Sequence, residues 1–270
     1  MKNKLLALPY VLWMTLFTII PLGIVLYFAF TDQSTETFSF SNILQMKDYG
    51  EVFLHSVALA AVAALICLII GYPVAYFIST CKPSVQNFLY LMVMLPMCMS
   101  FLLRTLAWVA LLANNGIINS FLTQIGLGAL PLTGNNCAVV LGMVYNYLPY
   151  MIMPLYSVMV KIDPRLIEAA EDLGCTSMTT FTRVVLPLSV PGIISGFTMV
   201  FVPAISTFYI SKQLGGTSTV LIGDVVETQF KSAYNPNLGA AISLVLMIIV
   251  FICVGIMGKF DKSDDEEVRL

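Results

Sequence analysis

The chain has 270 residues, of which 59% are hydrophobic and 10% are charged, and its formal net charge is −2. Its mean hydropathy is +0.90. Soluble domains carry roughly 25% charged residues, so this composition excludes an ordinary water-soluble domain. It predicts a polytopic membrane protein made of one transmembrane domain, residues 1–270.

Six continuous apolar runs are each long enough to cross a bilayer, whose hydrocarbon core requires about 20 helical residues. They cover residues 5–30, 57–80, 88–113, 137–160, 191–210 and 238–257. Their length and continuity predict an all-α protein with six transmembrane helices. The first run follows the sequence MKNK, but it is longer than the apolar core of a signal peptide, so we expect it to be retained as the first span.

The distribution of lysine and arginine predicts how the six spans are oriented. With an even number of spans, both termini lie on the same side of the membrane. Nine basic residues fall on that side, whereas Lys47, Lys212 and Lys231 fall on the other. Because cytoplasmic loops carry the excess of basic residues, both termini and the loop between the fourth and fifth spans are predicted to be cytoplasmic.

That long cytoplasmic loop, residues 163–187, is predicted to form two helices joined by a glycine turn. Asp163–Pro164 supplies an N-cap and a first-turn proline. The following RLIEAAEDL consists largely of good helix formers, and Gly174 can adopt the positive φ that ends a helix. Thr176 or Ser177 can cap the second helix, which is expected to end before the next proline.

One face of the first loop helix is apolar, because Leu166, Ala170 and Leu173 recur at helical spacing. Ala169 and Ala170 add little side-chain bulk, so another helix or the wall of a groove can come close. Amphipathic helices are common in loops between spans. The pattern alone leaves open whether this face packs within the chain or docks on a soluble partner.

The spans contain none of the groups that drive transport or hydrolysis in other classes. None of the six runs holds an aspartate or glutamate. Ion-coupled carriers commonly place such a residue in the membrane, so that class is disfavoured, although backbone carbonyls can also hold sodium. The sequence also lacks G-x-x-x-x-G-K, H-E-x-x-H and G-x-S-x-G motifs. We therefore do not expect the chain to hydrolyse nucleotides or peptides itself.

Arg104, in FLLRTLAW, is the one charged residue within the six runs. Counted along the third run, it falls in the outer half of the membrane. Two interpretations are open. The side chain can snorkel to the outer surface, or it can pair with an outer carboxylate or with a carbonyl group in a pore.

The stretch EAAEDLGCTSMTTFTRVVLP, residues 168–187, carries a specific pattern: E-A-A, three residues, glycine, nine residues, isoleucine, one residue, Leu-Pro. Only Val184, in place of isoleucine, departs from it. The pattern resembles the signature of permease subunits of binding-protein-dependent ABC importers. The resemblance implies a type I ABC importer permease fold and a bacterial plasma-membrane location. It also implies that the loop is a coupling helix, which docks in a groove on a separate ATP-hydrolysing subunit.

The resemblance implies roles for individual residues of the loop. Glu168 would meet a basic group of the ATPase, and Ala169–Ala170 would lie against the floor of its groove. Gly174 would make the turn, and Leu186–Pro187 would lead into the fifth span. Together with the capping residue Asp163, these residues form the predicted ATPase-coupling set.

The same family implies partners for this chain. ATP and Mg²⁺ would bind to the ATPase subunits, expected as a homodimer, and this chain would be neither an enzyme nor the holder of a cofactor or metal. A second homologous permease is expected to complete the pore, because one chain offers one coupling segment and the machine uses two ATPases. An extracytoplasmic binding protein would dock on the outer loops. Lipid would surround the spans, and no nucleic-acid partner is expected.

Four further stretches resemble the first permease subunit of spermidine/putrescine importers: SFLLRTLAW, NGIINSFL, LPLSVPGIISG and FYISKQLGGTSTVLIGDVVETQF. The resemblance implies polyamine cargo delivered by a polyamine-binding protein. Related importers for opines, phosphonates and other cations share parts of these motifs, so another small cationic or amine-bearing solute is an alternative. An ion-coupled secondary carrier and a non-transporting scaffold that recruits an ATPase are two further alternatives.

A polyamine is a flexible polycation whose ammonium groups pair with carboxylates and whose methylenes pack on aromatic faces. Outer-side residues of these types, together with Arg104, are the candidates for the substrate path: Phe208, Tyr209, Asp224, Glu227 and Tyr234. Interfacial aromatic belts and solvated loop acids offer an ordinary structural explanation for each. Lys212 and Lys231 lie close in sequence and would repel a cation. The stretch LIGDVVETQF is predicted to form a short helix at the outer surface.

Overall fold

A computed structural model describes residues 8–33, 37–126 and 128–267. Within these residues the regular structure is helical, apart from one isolated antiparallel bridge between Thr31 and Phe38. The α-helices in chain order are α1 Leu8–Met14, α2 Ile20–Ala29, α3 Ser41–Gln45, α4 Gly50–Thr80, α5 Pro83–Met94, α6 Phe101–Leu112, α7 Ile117–Gln124, α8 Asn136–Met159, α9 Pro164–Asp172, α10 Ser177–Thr180, α11 Leu186–Leu188, α12 Val190–Ile205, α13 Ile222–Lys231 and α14 Pro236–Glu267. The π-helical and 3-10 segments are Thr15–Ile19, Met46–Tyr49, Leu95–Cys98, Phe181–Val185 and Ser211–Gly215.

The predicted all-α architecture with six spans is confirmed. Five helical segments are long and apolar enough to cross a membrane: Pro9–Ala29, Ser41–Thr80, Phe101–Gln124, Asn136–Met159 and Pro236–Gly258. Two further segments, Ser177–Leu188 and Val190–Ile205, meet at an angle of 63° and pass the same test only when taken together, which brings the number of candidate spans to six. The predicted fifth span falls in the second of these segments.

The predicted bounds agree best for the fourth span, 137–160, which α8 reproduces. The sixth, 238–257, lies within α14, and that helix continues to Glu267. The second span begins at Gly50 rather than at residue 57. Its first turns are helical although they contain the polar residues Glu51 and His55, and those residues excluded the turns from the predicted apolar run. For the first span, 5–30, α1, the π-helical segment Thr15–Ile19 and α2 together cover residues 8–29, and residues 5–7 lie outside the described residues.

The third predicted span, 88–113, is wrong as a single helix. Helix α5 ends at Met94, a 3-10 turn follows, and the backbone of Met99 and Ser100 is extended before α6 begins. Pro96 lies in that turn and lacks the N–H needed to continue an α-helix. Helices α5 and α6 are therefore two separate helices.

The fifth predicted span, 191–210, is also interrupted. Helix α12 ends at Ile205, and helical structure resumes only at residue 209. Pro203 weakens the last turn of α12 by removing one backbone hydrogen bond. The start of α13 packs against this break, and a Cβ atom added to Gly223 would lie 2.5 Å from the carbonyl oxygen of Thr207. Only glycine permits so close an approach.

The centre of the protein is a bundle of α4, α8 and α12, which pack against one another. Glycines allow these helices to approach closely, as is common in membrane bundles. A Cβ added to Gly196 of α12 would lie 2.8 Å from Met151 Sδ on α8, and one added to Gly71 of α4 would lie 3.1 Å from Met151 Cγ. Met151 is fully buried between the two glycines. These three helices form the packed core to which the other segments are attached.

We expect Gly196→Leu to destabilise the folded chain by about 1–3 kcal/mol, because the added side chain must displace Met151 in a packed core. The measurement is the midpoint of thermal unfolding of the detergent-purified chain. Gly255→Leu is the matched control, since this exposed glycine of α14 has open space where the side chain would go. Equal midpoints for the two variants would contradict the close packing of α8 and α12.

Candidate coupling segment and substrate path

The predicted start of the first loop helix is confirmed in atomic detail. Asp163 is the N-cap of α9, and its side chain accepts a hydrogen bond from the backbone N–H of Arg165 at 3.0 Å. Pro164 occupies the first turn, where its missing N–H costs nothing. The helix therefore begins at a defined residue, close to the end of α8 at Met159.

The predicted glycine turn is also present. Gly174 has φ +84°, its N–H donates to the carbonyl of Glu171 at 2.9 Å, and the N–H of Cys175 donates to the carbonyl of Ala170 at 3.1 Å. These two bonds form the Schellman motif that ends a helix with a residue of positive φ. Thr176 then caps α10 by accepting a hydrogen bond from the N–H of Thr179.

The exposed surface of this segment differs from the apolar face predicted for it. Glu168 and Ala169 are exposed, but Ala170 is 9% exposed and is covered by the chain itself. Of the two alanines, only Ala169 is available to a partner. Leu173 and Met178 are 86% and 70% exposed, on either side of the glycine turn. We call Leu173 and Met178, with the half-exposed Leu166, the apolar tip of the coupling segment.

The second helix of the segment does not end before Pro187. It continues from α10 through the π-helical segment Phe181–Val185 into α11, and Pro187 lies in the first turn of α11. The break comes at Ser189, where the chain bends by 63° into α12. Leu186–Pro187 therefore precedes the fifth span, as predicted, and the bend separates them.

Helix α13 confirms the short helix predicted from LIGDVVETQF. Asp224 stabilises its start, because one carboxylate oxygen accepts a hydrogen bond from the N–H of Leu221 at 2.8 Å. Burial raises the pKa of Asp224 above its ordinary value, against the opposing effect of this hydrogen bond. Asp224 is thus a capping residue that is partly shielded from solvent.

Glu227 is held by both of the lysines that the sequence places near the path. Its carboxylate lies 2.9 Å from Lys231 Nζ and 3.2 Å from Lys212 Nζ. Hydrogen bonds from these two ammonium groups lower the pKa of Glu227. The ion pairs therefore stabilise the folded chain fully at pH values above the ordinary pKa of a glutamate. This stabilisation is lost as the pH falls through the lowered pKa of Glu227. Glu227 is not free to bind a cation, and the lysines are partly neutralised.

Phe208 and Tyr209 follow the break in the fifth span and line a cavity of about 380 Å³ that opens at the protein surface. Phe101 and Tyr147 complete an aromatic wall on the other side of this cavity. The same Phe208 also borders a second cavity, of about 350 Å³, together with Glu227. Tyr147 was missed by the sequence reasoning because it belongs to a span rich in tyrosine. We call the cavity lined by Phe208 and Tyr209 the aromatic cavity.

Two other predicted path residues lie elsewhere. Tyr234 and Asp224 are absent from the linings of both cavities. Tyr234 is exposed, with a positive φ of 50°, and its carbonyl accepts a hydrogen bond from the Gln33 side chain at 2.9 Å. It fixes the loop that leads into α14 rather than lining a cavity.

Arg104 occupies the first turn of α6 rather than the outer end of a long helix. Only 6% of its surface is exposed, so its head group does not snorkel to the outer surface. Its Nε and Nη1 atoms are buried and have no hydrogen-bond acceptor among the described residues, so the predicted pairing is not seen either. A buried charge of this kind is costly and marks a functional position in membrane proteins.

Comparison with known proteins places this architecture in one family. Residues 69–262 match the family of the binding-protein-dependent transport system inner membrane component. The chain belongs to this family of ABC importer permeases. The members of this family are inner-membrane components of binding-protein-dependent transport systems.

Relatives of this permease match it over nearly its whole length. The spermidine/putrescine transport system permease protein PotB of Haemophilus influenzae is 34% identical over 268 residues, which cover 96% of this chain and 93% of the relative. The PotB protein of Escherichia coli is also 34% identical, with 96% and 97% covered. The inner membrane ABC transporter permease protein YdcU of Escherichia coli is 29% identical, with 93% and 85% covered.

Solved structures confirm the type I ABC importer permease fold. A bacterial ABC transporter involved in the import of the acidic polysaccharide alginate has a chain that superposes with a TM-score of 0.78 at 17% identity, covering 97% of this permease and 95% of that chain. The methionine ABC transporter MetNI gives a TM-score of 0.61 at 16% identity, with 82% and 98% covered. At these identities the likeness concerns the fold alone.

Proposed function

We propose that this permease, together with a second related permease, forms the path by which spermidine or putrescine crosses the bacterial plasma membrane. The observation that carries the proposal is its 34% identity to spermidine/putrescine permeases over 96% of its length. The aromatic cavity opens at the surface of the chain, so one chain supplies only one wall. A second permease is the partner that would close it.

The chemistry of the aromatic cavity fits a flexible polycation. Aromatic faces attract ammonium groups and also pack against methylenes, and Phe101, Tyr147, Phe208 and Tyr209 all border the same space. The carboxylates of this chain contribute less, because Glu227 is already paired with two lysines. We therefore assign recognition on this side of the pore to aromatic rings, with further charge supplied by the second permease.

The conformational change driven by ATP hydrolysis would reach the permease through residues 163–187. The apolar tip offers exposed hydrophobic side chains on a segment that the charge distribution places in the cytoplasm, where no lipid covers them. A pair of ATPase subunits, holding ATP and Mg²⁺, would bind this tip and the second permease's equivalent. Glu168 is exposed and free to meet a basic group of the ATPase. Both termini are then cytoplasmic, and a polyamine-binding protein would dock on the outer loops.

A second cargo class, an amine-bearing solute that also carries a carboxylate, is favoured by one specific observation. The buried Arg104 guanidinium has unpaired donors that match a carboxylate, and its charge would repel a pure polycation. The deciding experiment measures uptake of labelled spermidine, putrescine and a diamino acid by cells with and without this chain. Loss of polyamine uptake supports the proposal, whereas loss of diamino-acid uptake alone would replace it with the second class.

We expect Glu227→Gln to weaken uptake of a polycation several-fold at low ionic strength. The substitution leaves Lys212 and Lys231 without their counter-charge beside the cavity that Glu227 borders. Because salt screens charges over about 10 Å at 0.1 M, the defect should shrink as salt is added. Glu51→Gln, at an exposed acid on the same side of the membrane, is the control. A defect that does not change with salt would contradict the electrostatic explanation.

A further inference from the structure

The coupling segment is attached to the membrane bundle through an aromatic contact. Phe181, at the start of the π-helical segment, packs edge-on against Tyr72 and Tyr76 of α4, with ring centroids 5.6 Å and 5.5 Å apart and interplanar angles of 84° and 80°. Tyr72 and Tyr76 are four residues apart and therefore lie on one helix face. We call these three rings the aromatic junction.

A hydrogen bond ties the same place to the bend that precedes the fifth span. Tyr72 Oη lies 2.7 Å from Ser189 Oγ. The Ser189 hydroxyl donates its single proton to the carbonyl of Leu186 at 2.8 Å, so Tyr72 is the donor in the bond between them. Ser189 is fully buried, and Tyr72 is also buried. The bend at Ser189 is thus fixed to α4 rather than to its own helix alone.

Both helices joined by the aromatic junction contain, next to it, a feature that makes a helix easier to bend. Pro73 lies inside α4 next to Tyr72, and it cannot donate the backbone hydrogen bond to Ile69 that the helix would otherwise contain. On the other side, the chain passes through a π-helical segment and then bends by 63° at Ser189. π-Helical segments and proline positions are where helices bend. Force applied at the junction therefore acts where α4 and the fifth span deform most easily.

We propose that Phe181, Tyr72 and Ser189 transmit the motion of the coupling segment to the second and fifth spans. The inference rests on the proposed function, because it assumes that an ATPase moves α9. Displacement of α9 shifts Phe181, the two tyrosine rings carry this shift to α4, and the Tyr72–Ser189 hydrogen bond carries it to α12. Since α4 and α12 both pack on α8, the two spans move against a common support.

The test uses the complete importer in proteoliposomes, with ATPase subunits, second permease and loaded binding protein. We expect Phe181→Ala and Tyr72→Phe to leave ATPase co-purification intact and to lower cargo uptake per ATP hydrolysed by about tenfold, the effect of losing an aromatic pair or a hydrogen bond. Phe77→Ala removes an exposed ring of the same helix that lies outside the junction, and it is the control. This control variant should keep the wild-type ratio.

The outcomes separate this inference from the function on which it rests. If Phe181→Ala and Tyr72→Phe both keep the wild-type uptake per ATP while Gly174→Val uncouples, only the proposed role of the aromatic junction is overturned. Wild-type ratios in all three variants would overturn the assignment of the coupling segment itself. Tyr72→Phe preserves the shape of the side chain, so it decides the question if Phe181→Ala fails to fold.

Discussion

Replacing Gly174 with valine is expected to abolish coupling between ATP hydrolysis and uptake while the chain still inserts into the membrane. Gly174 has φ +84° and open space around its Cα. The substitution therefore acts through the backbone, and a side chain in this left-handed region costs about 1–2 kcal/mol or more. The turn would open and α9 would change its direction relative to α10. Uptake per cell, measured with labelled cargo, should fall at least about tenfold.

Gly126→Val is the matched control for this prediction. Gly126 also has φ +84° and open space, but it lies in an exposed outer loop far along the chain from the coupling segment. Its backbone strain is the same, so a general loss of stability would affect both variants. A companion change, Glu168→Ala, keeps helix propensity high and removes only the exposed charge. If Gly174→Val and Glu168→Ala both kept wild-type uptake and wild-type stimulated ATP hydrolysis, the assignment of residues 163–187 as the coupling segment would be wrong.

Leu173→Asp is expected to prevent stable binding of the ATPase. The Leu173 side chain is 86% exposed, so the folded chain does not need it. In a docked complex the same position would be covered, and a carboxylate buried there would cost the several kcal/mol typical of a central interface residue. Affinity for the ATPase should fall by about a hundredfold or more. The measurement is a titration of the purified permease pair with labelled ATPase subunits.

Leu44→Asp provides the control for the docking prediction. Leu44 lies in α3 and is 64% exposed, and α3 is not part of the coupling segment. The two variants add the same charge to exposed leucines, so detergent behaviour and expression should change alike. If Leu173→Asp bound the ATPase as tightly as Leu44→Asp did, the ATPase would have to dock on another surface.

The two predictions concern different steps of one process. Leu173 would act in the contact with the ATPase, Gly174 in the direction of the helix that carries this contact, and Phe181 in the connection to the membrane bundle. The segment that contains all three is short, and its buried side chains lie mainly in its second half, at Thr180 and Val185. Most of its first half is exposed and accessible to a partner. This division explains how a loop between spans can be both exposed and connected to the bundle.

Local signals in the sequence determined much of this protein. Hydropathy alone predicts six spans, because each must satisfy the bilayer along its own length. The capping residue Asp163, the turn at Gly174 and the cap at Thr176 are predictable because each depends on backbone groups within a few residues. The Glu168–Pro187 pattern then led to the correct family.

Tertiary structure alone decided which of these residues face a partner and which face the chain. Ala170 shares a helix face with Leu173, yet it is buried and Leu173 is not, because α9 packs on the second half of its own segment. The grouping of Lys212, Glu227 and Lys231 depends on how α13 folds back against the break after Ile205, where Gly223 allows close approach. Helical periodicity sets only the face on which a residue lies. What covers that face follows from the packing of distant segments, and a single sequence does not contain that information locally.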